Sequence, residues 1–345
     1  MHPVSKKLKY VANAVYFTGN FIYNFVNNGP FIILYHSVYD KKESDYIIDN
    51  WSISKKEFEK HLKIFKKYFI PVSVSFLVHK IKNGQKLNPK WIAVTFDDGF
   101  KNVINNAVPI LEKYQMPWTF CIPSLCIEKK IIPWQTQLSI IDFIAKDNKI
   151  KKLIKFELEN THNHKLGKSG FNINLLKNII IKSYNGFSIY EFINSINLLL
   201  PFKELKKINK IYEMSTWNDL IELKNNSKLV SFAIHGGFHF FLNKDLINTE
   251  LVKSKKIFEK NIGECNTFSV VGGKLNERLI SQIEKAEYKI CLTSGISNEI
   301  NFNSKMIKVP RIIGEYTKNQ LLLNLLKNKI DLKQNNLNHS NNITI

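Results

Sequence analysis

Residues 91–99 read WIAVTFDDG, an apolar, β-rich run that ends in two adjacent carboxylates and a glycine. The run predicts a strand over Trp91–Phe96. Because acidic residues are depleted within strands, Asp97 and Asp98 are expected to project into whatever site lies at this end of the strand. Alternation would point the two side chains in different directions, so that one could hold a metal while the other acts as a base. The alternative interpretation is a turn, since Asp-Asp-Gly is also good turn chemistry.

Similar apolar runs recur along the chain and alternate with segments of helical periodicity, a pattern typical of repeated β/α units. One helical stripe, Phe58, Leu62 and Phe65, follows the candidate N-cap Ser54. Residues 128–226 depart from this rhythm, because they are rich in lysine and asparagine, helical in pattern and without strand-like runs. We predict that they form a helical insertion between two strands. The other predicted strands are Phe31–Tyr35, Trp118–Ile122, Leu229–Ile234, Phe268–Val271, Lys289–Thr293 and Ile307–Ile312.

The composition limits the class of protein. A chain of 345 residues that is 44% hydrophobic can bury the core of one large α/β domain or two medium ones, which excludes a disordered chain or a disulfide miniprotein. The net charge is +21, yet only Arg278 and Arg311 are arginine. Readers of phosphates and bases usually depend on arginine, and no nucleic-acid motif is present, so we expect no nucleic-acid partner. Attraction to an anionic membrane stays open.

The N-terminus and the cysteines bear on location. Residues 1–29 combine lysines at positions 6, 7 and 9 with an apolar run interrupted by asparagines. This pattern predicts an amphipathic helix, either packed on the domain or lying on a membrane surface. No cleavage site follows it, no run of about 18 apolar residues exists, and the four cysteines form no C-x-x-C pair. We therefore predict a cytoplasmic protein, with peripheral contact at the inner face of the cytoplasmic membrane if the helix binds lipid.

Two further segments carry candidate chemistry. Residues 235–239 read HGGFH, directly after an apolar run, and histidines four positions apart share one face if the segment turns helically. Two imidazoles, a carboxylate oxygen and a water would make an open catalytic zinc site, whereas the alternative is a pair of ordinary loop histidines. Residues 32–37 place His36 at the C-terminal end of a predicted strand, where catalytic residues gather in barrel folds.

Together the three segments resemble the polysaccharide deacetylases with a NodB-homology domain, carbohydrate esterase family four. TFDDG is similar to the first motif of that family, which implies that Asp97 is the base and Asp98 a metal ligand. HGGFH is similar to the second motif, H-[ST]-x-x-H, which implies that His235 and His239 complete the metal triad.

The third matching segment, Leu34-Tyr35-His36, resembles the L-x-H motif, which implies that His36 is the catalytic acid. That motif comes last in most members, and its early position here is similar to the circularly permuted branch that acts on exopolysaccharides. The resemblance covers about 30–326 and implies a distorted (β/α)7-type, NodB-like α/β barrel with the insertion at 128–226. Residues 327–345 are polar and are predicted to be a disordered tail.

The resemblance also implies a divalent ion, most plausibly Zn²⁺, and hydrolysis of an N-acyl amino sugar. The substrate classes it leaves open are a polymer, a lipid-linked precursor and a nucleotide sugar. Because no export signal is seen, a precursor on the cytoplasmic side fits better than mature cell wall. Trp134 and Trp217 in the insertion could stack on a sugar ring, although core packing is the commoner fate of tryptophan. Tyr35 is a further candidate substrate contact.

Several positions depart from the family pattern. Gly236 stands where Ser or Thr is usual, and Val270-Val271-Gly272-Gly273 replaces the third motif with its base-orienting arginine. Arg311 could substitute for that arginine or form a structural salt bridge. The backbone near Gly273 could supply an oxyanion-hole N–H. No counterpart is evident for the aspartate that tunes the acid histidine. The alternative to a deacetylase is therefore a degenerate member that binds a glycan or scaffolds polysaccharide assembly, and O-deacetylation or deformylation is a third reading. The oligomeric state stays open.

Overall fold

The computed structural model describes residues 29–162, 172–294, 299–302, 306–327 and 331–334. The amphipathic helix predicted at 1–29 lies outside the described residues except for Gly29. No helix among the described residues has both the length and the apolar character needed to cross a membrane.

Seven parallel strands close into a barrel in which the last strand pairs with the first. In order around the barrel they are β1 Phe31–Tyr35, β5 Trp91–Phe96, β6 Trp118–Ile122, β7 Val230–Ile234, β8 Thr267–Ser269, β9 Ile290–Ser294 and β11 Ile307–Ile313, and β11 pairs with β1. This arrangement confirms the predicted barrel. The other strands are β2 Ser37–Tyr39, β3 Ser52–Ser54, β4 Ile70–Pro71, β10 Glu299–Phe302 and β12 Asp331–Gln334.

Helices cover the outside of the barrel and fill the connections between strands. A turn of 3-10 helix spans Lys41–Tyr46, and π-helical turns at Val103–Ala107 and Asn248–Lys253 lead directly into the α-helices that begin at Val108 and Ser254. The α-helices are α1 Lys55–Tyr68, α2 Val74–Lys82, α3 Val108–Lys113, α4 Ser124–Lys129, α5 Trp134–Ile144, α6 Asn148–Asn160, α7 Ile173–Ser183, α8 Ser188–Asn197, α9 Phe202–Ile211, α10 Trp217–Asn226, α11 Ser254–Asn261, α12 Glu277–Lys285 and α13 Lys318–Lys327.

The core lies between the barrel strands and the helices outside them. Helix α1 begins where Ser54 accepts a hydrogen bond from the backbone N–H of Glu57, and its apolar stripe is buried. Phe58 of that stripe packs edge-on against Phe96 of β5, which in turn meets Trp118 of β6. Barrel strands that helices cover on the outside are buried on both faces, so each appears in the sequence as a short apolar run. That is why the seven barrel strands could be predicted to within two residues.

Helices α5 to α10 lie between β6 and β7, where the sequence predicted an insertion over 128–226. Helix α5 is at the centre of this group and contacts α7, α8 and α9. Residues 331–334 differ from the predicted disordered tail, because they pair as the parallel strand β12 beside β10. The free edge of β10 offers unpaired backbone N–H and C=O groups, and β12 satisfies them.

Candidate active site

The candidate catalytic side chains meet at the C-terminal mouth of the barrel. His36 follows β1, Asp97 and Asp98 follow β5, and His235 and His239 follow β7. The carboxyl ends of parallel barrel strands all face the same edge, so residues far apart in sequence converge there. These five side chains line one cavity of about 450 Å³. This volume is in the range usual for small-molecule sites.

Asp98, His235 and His239 are brought close enough to share one metal ion. His239 Nε2 lies 3.0 Å and His235 Nε2 lies 3.5 Å from Asp98 Oδ1. The two Nε2 atoms are 3.1 Å apart. All three side chains are buried, and within the described part of the chain no other group of three His, Cys, Asp or Glu residues is close enough to hold an ion.

Hydrogen bonds on the far side of each imidazole determine which nitrogen faces the triad. His235 Nδ1 lies 2.9 Å from the Ser269 carbonyl oxygen, so this nitrogen must donate. His239 Nδ1 lies 2.7 Å from Gln135 Oε1, which accepts its proton in the same way. Both neutral rings then turn an Nε2 lone pair toward Asp98, whose Oδ1 has no hydrogen-bond donor. Three electron-pair donors at such distances repel each other unless a cation lies between them, so these residues fit a divalent ion.

The electrostatics of the triad favour an ionised Asp98 and a neutral His239, whereas His235 is drawn toward protonation by the neighbouring carboxylates. Burial opposes ionisation of Asp98, but His239 and His235 outweigh it and hold the pKa of Asp98 well below its usual range. Burial lowers the pKa of His239, which favours the neutral imidazole. For His235, burial acts in the same direction, but the charges of Asp97 and Asp98 and the hydrogen bonds to Asp98 and the Ser269 carbonyl together outweigh it and raise the pKa. Asp98 and His239 also adopt left-handed backbone conformations, with φ of 69° and 60°. Such strain is typical of functional sites.

Arg311 reaches the candidate base from β11. Its guanidinium donates to both oxygens of Asp97, at 2.7 and 2.8 Å, and to Ser269 Oγ at 2.8 Å. Both partners are buried. Burial opposes ionisation of Asp97, but Arg311 and His235 hold the pKa of this carboxyl well below its usual range. Residues 270–273 lack the arginine that usually orients the base, and Arg311 makes that contact with Asp97 instead. The contact is a buried salt bridge that also fixes the orientation of the carboxylate.

His36 has a carboxylate partner that the sequence analysis missed. Its Nδ1 lies 2.9 Å from Glu315 Oε1. Burial opposes protonation of His36, but the charge and hydrogen bond of Glu315 prevail and raise the pKa of His36 to about 9. Glu315 follows β11, which pairs with the β1 strand that carries His36. Once the closure of the barrel is known, a carboxylate just beyond β11 is the expected neighbour, but sequence order alone does not indicate it.

Two candidate substrate contacts lie away from the cavity. The Tyr35 side chain is buried, and its hydroxyl meets His61 Nδ1 at 2.9 Å. Strand alternation explains the difference, because Tyr35 and His36 point to opposite faces of β1. The Gly273 N–H donates to the Val270 carbonyl at 3.0 Å, so a turn already uses this proposed oxyanion donor.

The two tryptophans of the insertion serve packing and loop anchoring. Trp134 is 1% exposed, which leaves no ring face for a sugar, and its Nε1–H donates to the His239 carbonyl at 3.0 Å. Trp217 donates to Glu128 outside the cavity. Gln135, the next residue, was not predicted as a site residue from the sequence. Its side-chain amide contacts both Nδ1 and the backbone carbonyl of His239.

A buried carboxylate occupies the space next to Gly236. Glu250 is fully buried, and its two oxygens accept hydrogen bonds from the backbone N–H groups of Gly237, Phe238 and Phe240 at 2.9–3.1 Å. A Cβ at Gly236 would lie 2.5 Å from Glu250 Oε2, and Gly236 has a φ of 76°. Glycine is therefore required here, and Glu250 supports the loop where a Ser or Thr was expected to do so. Burial raises the pKa of Glu250 to about 7, against the opposing effect of the three N–H donors.

Comparison with known proteins agrees with this geometry. Residues 84–162 match the family model described as polysaccharide deacetylase. The poly-beta-1,6-N-acetyl-D-glucosamine N-deacetylase of Staphylococcus aureus (strain MSSA476) is 36% identical over 120 residues, which are 33% of this chain and 37% of that protein. The chain therefore matches little more than a third of the length of this curated relative.

Solved structures share the fold at low sequence identity. The Streptococcus pyogenes deacetylase PplD, in complex with acetate, has a TM-score of 0.52 at 16% identity, over 87% of this chain and 97% of that chain. The de-N-acetylase from Aggregatibacter actinomycetemcomitans has a TM-score of 0.51 at 17% identity, over 86% and 98%. The solved structures confirm the predicted fold, and the match of the family model to residues 84–162 agrees with the predicted resemblance to the polysaccharide deacetylases.

Replacing Arg311 should destabilise the protein strongly. Arg311→Met removes the partner of a buried carboxylate, and we expect a loss of about 3–5 kcal/mol in the free energy of unfolding, measured by denaturant titration. The exposed Arg278 is the matched control, and Arg278→Met should stay within about 0.5 kcal/mol of the wild type. Equal stabilities for the two variants would contradict the role given to the Arg311–Asp97 pair.

Replacing Glu250 should loosen the histidine loop. A glutamine has one acceptor oxygen where the carboxylate has two, so Glu250→Gln should lower stability by about 1–3 kcal/mol. Because the loop carries His239, affinity for Zn²⁺ should also fall, by about 10–100-fold, as measured by competition with a chelating dye. The exposed Glu222 provides the control Glu222→Gln. Unchanged zinc affinity in Glu250→Gln would show that the loop does not need this carboxylate.

Proposed function

We propose that this protein is a metal-dependent hydrolase that removes the N-acetyl group from an amino sugar of a polysaccharide. The observation that carries the proposal is the convergence of Asp98, His235 and His239, with Asp97 and His36 on the same cavity. The family match and the deacetylase named among the relatives support the same reaction class.

Asp98, His235 and His239 would hold the divalent ion. One carboxylate oxygen and two imidazoles suit Zn²⁺, and they are also acceptable to cobalt, nickel or manganese. When bound, the ion supplies Lewis acidity and lowers the pKa of a coordinated water. The contacts of the two Nδ1 atoms with Ser269 and Gln135 orient both Nε2 atoms toward the ion site.

Asp97 is positioned to accept a proton from the attacking water. Arg311 keeps it ionised and fixes the direction of its oxygens, so the base is ready at any physiological pH. The low pKa makes Asp97 a weak base, which limits proton transfer to the moment when the water is activated. His235 Nε2, 3.6 Å from Asp97 Oδ2, places the base next to the metal ligands.

His36 is positioned to protonate the departing amine. With a pKa of about 9, the imidazole carries its proton at neutral pH and can donate it. Glu315 holds the Nδ1 side of the ring, so Nε2 is the nitrogen left to face the cavity. His36 and Asp97 would then act as separate acid and base.

The substrate class and the cellular location are proposed from the relatives and from the sequence. The relatives support an acetylated polysaccharide, and we retain a lipid-linked glycan precursor and peripheral contact with an anionic membrane as proposals that rest on sequence. A cytoplasmic location is proposed on the same basis. The degenerate, glycan-binding alternative rested on a missing arginine, and the contact between Arg311 and Asp97 weakens that argument.

Metal content tests the triad directly. The purified protein should bind close to one equivalent of Zn²⁺ after dialysis against the metal, as measured by elemental analysis, and His239→Ala should lose it because one of three ligands is gone. The exposed His79 gives the control His79→Ala, which should load like the wild type. A wild type that stays empty would sink the hydrolase proposal.

The pH dependence of turnover tests the acid. His36 must be protonated to act, so kcat should fall as pH rises through its pKa. Glu315 raises that pKa, and Glu315→Gln should therefore move the alkaline limb of the pH–kcat profile to lower pH. His36→Ala should lower kcat by about 10²–10⁴-fold while metal content is unchanged. A profile that does not move in Glu315→Gln would assign the alkaline limb to another group.

A further inference from the structure

Exposed apolar side chains lie at the base of the barrel, the end opposite the candidate active site. Phe76 of helix α2 and Ile70 of β4 are 37% and 46% exposed. Ile70 pairs in register with Trp91 at the start of β5, and residues paired in this way point to the same face. The partly buried Trp91 ring meets the Phe76 ring edge-on, with centroids 5.1 Å apart. These three side chains form one continuous surface, which we call the base patch.

A cavity beneath helix α2 shows where the helix lies. Val74, in the first turn of α2, lines a cavity of about 340 Å³ together with Thr119, Ser231 and Thr267. These last three residues lie at the N-terminal ends of β6, β7 and β8. Helix α2 therefore covers the base of the barrel, and the side of it that carries Phe76 is open to solvent.

Lysines surround the base patch. Lys80 Nζ lies 5.2 Å from the centroid of the Phe76 ring, and the Lys90 carbonyl accepts a hydrogen bond from the Ile70 N–H at 2.8 Å. Residues 60–96 contain no aspartate and no glutamate. The lysines of this stretch are at positions 60, 63, 66, 67, 80, 82, 86 and 90.

Charge is distributed unevenly along the barrel axis. Among the first 96 residues, every aspartate and glutamate lies between positions 40 and 59, after β1 or in the first turns of α1. Helix α1 runs from the mouth to the base, with Glu57 in its first turn and Lys66 and Lys67 in its last. On the other side of α2, Glu264 lines the cavity beneath the helix. The basic surface is therefore limited to the part of the base formed by β4, α2 and the start of β5.

The chain enters the barrel beside the base patch. A Cβ at Gly29 would overlap the carbonyl of Pro89, which lies two positions before Trp91. Residues 1–28 are therefore attached next to the patch. Their sequence adds lysines at positions 6, 7 and 9 and contains no acidic residue.

This combination of side chains matches an anionic lipid surface. Tryptophan and lysine are typical of the boundary between lipid and water, where rings enter the headgroup region and ammonium groups contact lipid phosphates. Nucleic acid is a poorer match, because residues 60–96 contain no arginine for paired contacts with phosphates or bases.

We propose that the base patch and the lysines around it dock the protein on an anionic lipid bilayer, with the barrel mouth facing away from the membrane. The candidate catalytic residues follow the C-terminal ends of the strands, whereas the patch lies at the N-terminal ends. The inference does not depend on hydrolytic activity, and it assigns membrane contact to a defined surface. Under the proposed function, the docked protein would act on glycan that extends away from the lipid headgroups.

Sedimentation with vesicles tests the surface. The full-length protein should bind vesicles of equal parts phosphatidylcholine and phosphatidylglycerol at about 0.1 M salt, and not vesicles of phosphatidylcholine alone. Phe76→Ser should lower the partition coefficient about tenfold. A fourfold base variant should lower it about 100-fold or more, since each lysine near the surface contributes about fivefold. That variant combines Lys66→Gln, Lys82→Gln, Lys86→Gln and Lys90→Gln.

A matched variant controls for total charge. It removes four exposed lysines of the insertion and should partition within about twofold of the wild type, because those charges lie away from the docked surface. Its substitutions are Lys149→Gln, Lys152→Gln, Lys203→Gln and Lys206→Gln. Equal losses in the two fourfold variants would assign vesicle binding to net charge and overturn the base patch. Undiminished binding in the base variant would overturn it as well.

Tryptophan fluorescence tests the orientation. Brominated phospholipid should quench part of the emission of the bound wild type, and Trp91→Phe should lose that quenching. Trp51 provides the comparison, because it is exposed at the mouth beside His36. Quenching that persists in Trp91→Phe and disappears in Trp51→Phe would place the mouth on the membrane and overturn the proposed orientation.

Metal content separates this inference from the proposed function. The base variants should bind Zn²⁺ like the wild type, because the patch and the triad lie at opposite ends of the barrel. A wild type that binds vesicles but no zinc would support the docking and reject the hydrolase. A wild type that binds zinc but no anionic vesicles would reject the docking alone. If the fourfold base variant does not fold, Phe76→Ser decides the test, and undiminished vesicle binding in it would overturn the patch.

Discussion

The salt bridge between Arg311 and Asp97 joins the strand that closes the barrel to the strand that carries the candidate base. A guanidinium with almost no solvent contact must find a carboxylate, and its fork geometry is satisfied by both oxygens of Asp97 and by Ser269. β11 can supply that arginine only when it lies against β1, so the pair is formed by the closed barrel. Burial alone would favour a protonated Asp97, and the arginine reverses that preference.

Hydrogen bonds from residues outside the triad orient the imidazole rings of its two histidines. The Ser269 carbonyl and the Gln135 side chain bind the two Nδ1 atoms, so the lone pairs of His235 and His239 face inward. Behind them, Glu250 gathers three backbone N–H groups of the same loop. These partners come from different parts of the fold; Ser269 and Glu250 are buried, and Gln135 is partly buried. Each one restricts a freedom that the two histidines would have as a loop in water.

The strands and the short motifs could be predicted from the sequence, whereas the contacts formed when the barrel closes could not. Strands such as Trp91–Phe96 are short apolar runs with clear ends, and the triad residues lie in two short sequence motifs. Both could therefore be predicted from the sequence. Glu315 and Glu250 could not, because their neighbours are set by the pairing of β11 with β1 and by the approach of a π-helical turn to a loop. Tyr35 was wrongly assigned to the cavity for a different reason, since strand alternation already places it opposite His36.

The contact of helix α5 with His239 has a thermodynamic consequence. Trp134 and Gln135 belong to the first turn of that helix, and through them the insertion holds both the carbonyl and the imidazole of His239. Folding of the insertion and ligand binding at His239 are therefore linked equilibria, and each must strengthen the other by the same factor. Local opening of α5 would release the site without unfolding the barrel, so hydrogen exchange in the insertion reports on occupancy at the barrel mouth.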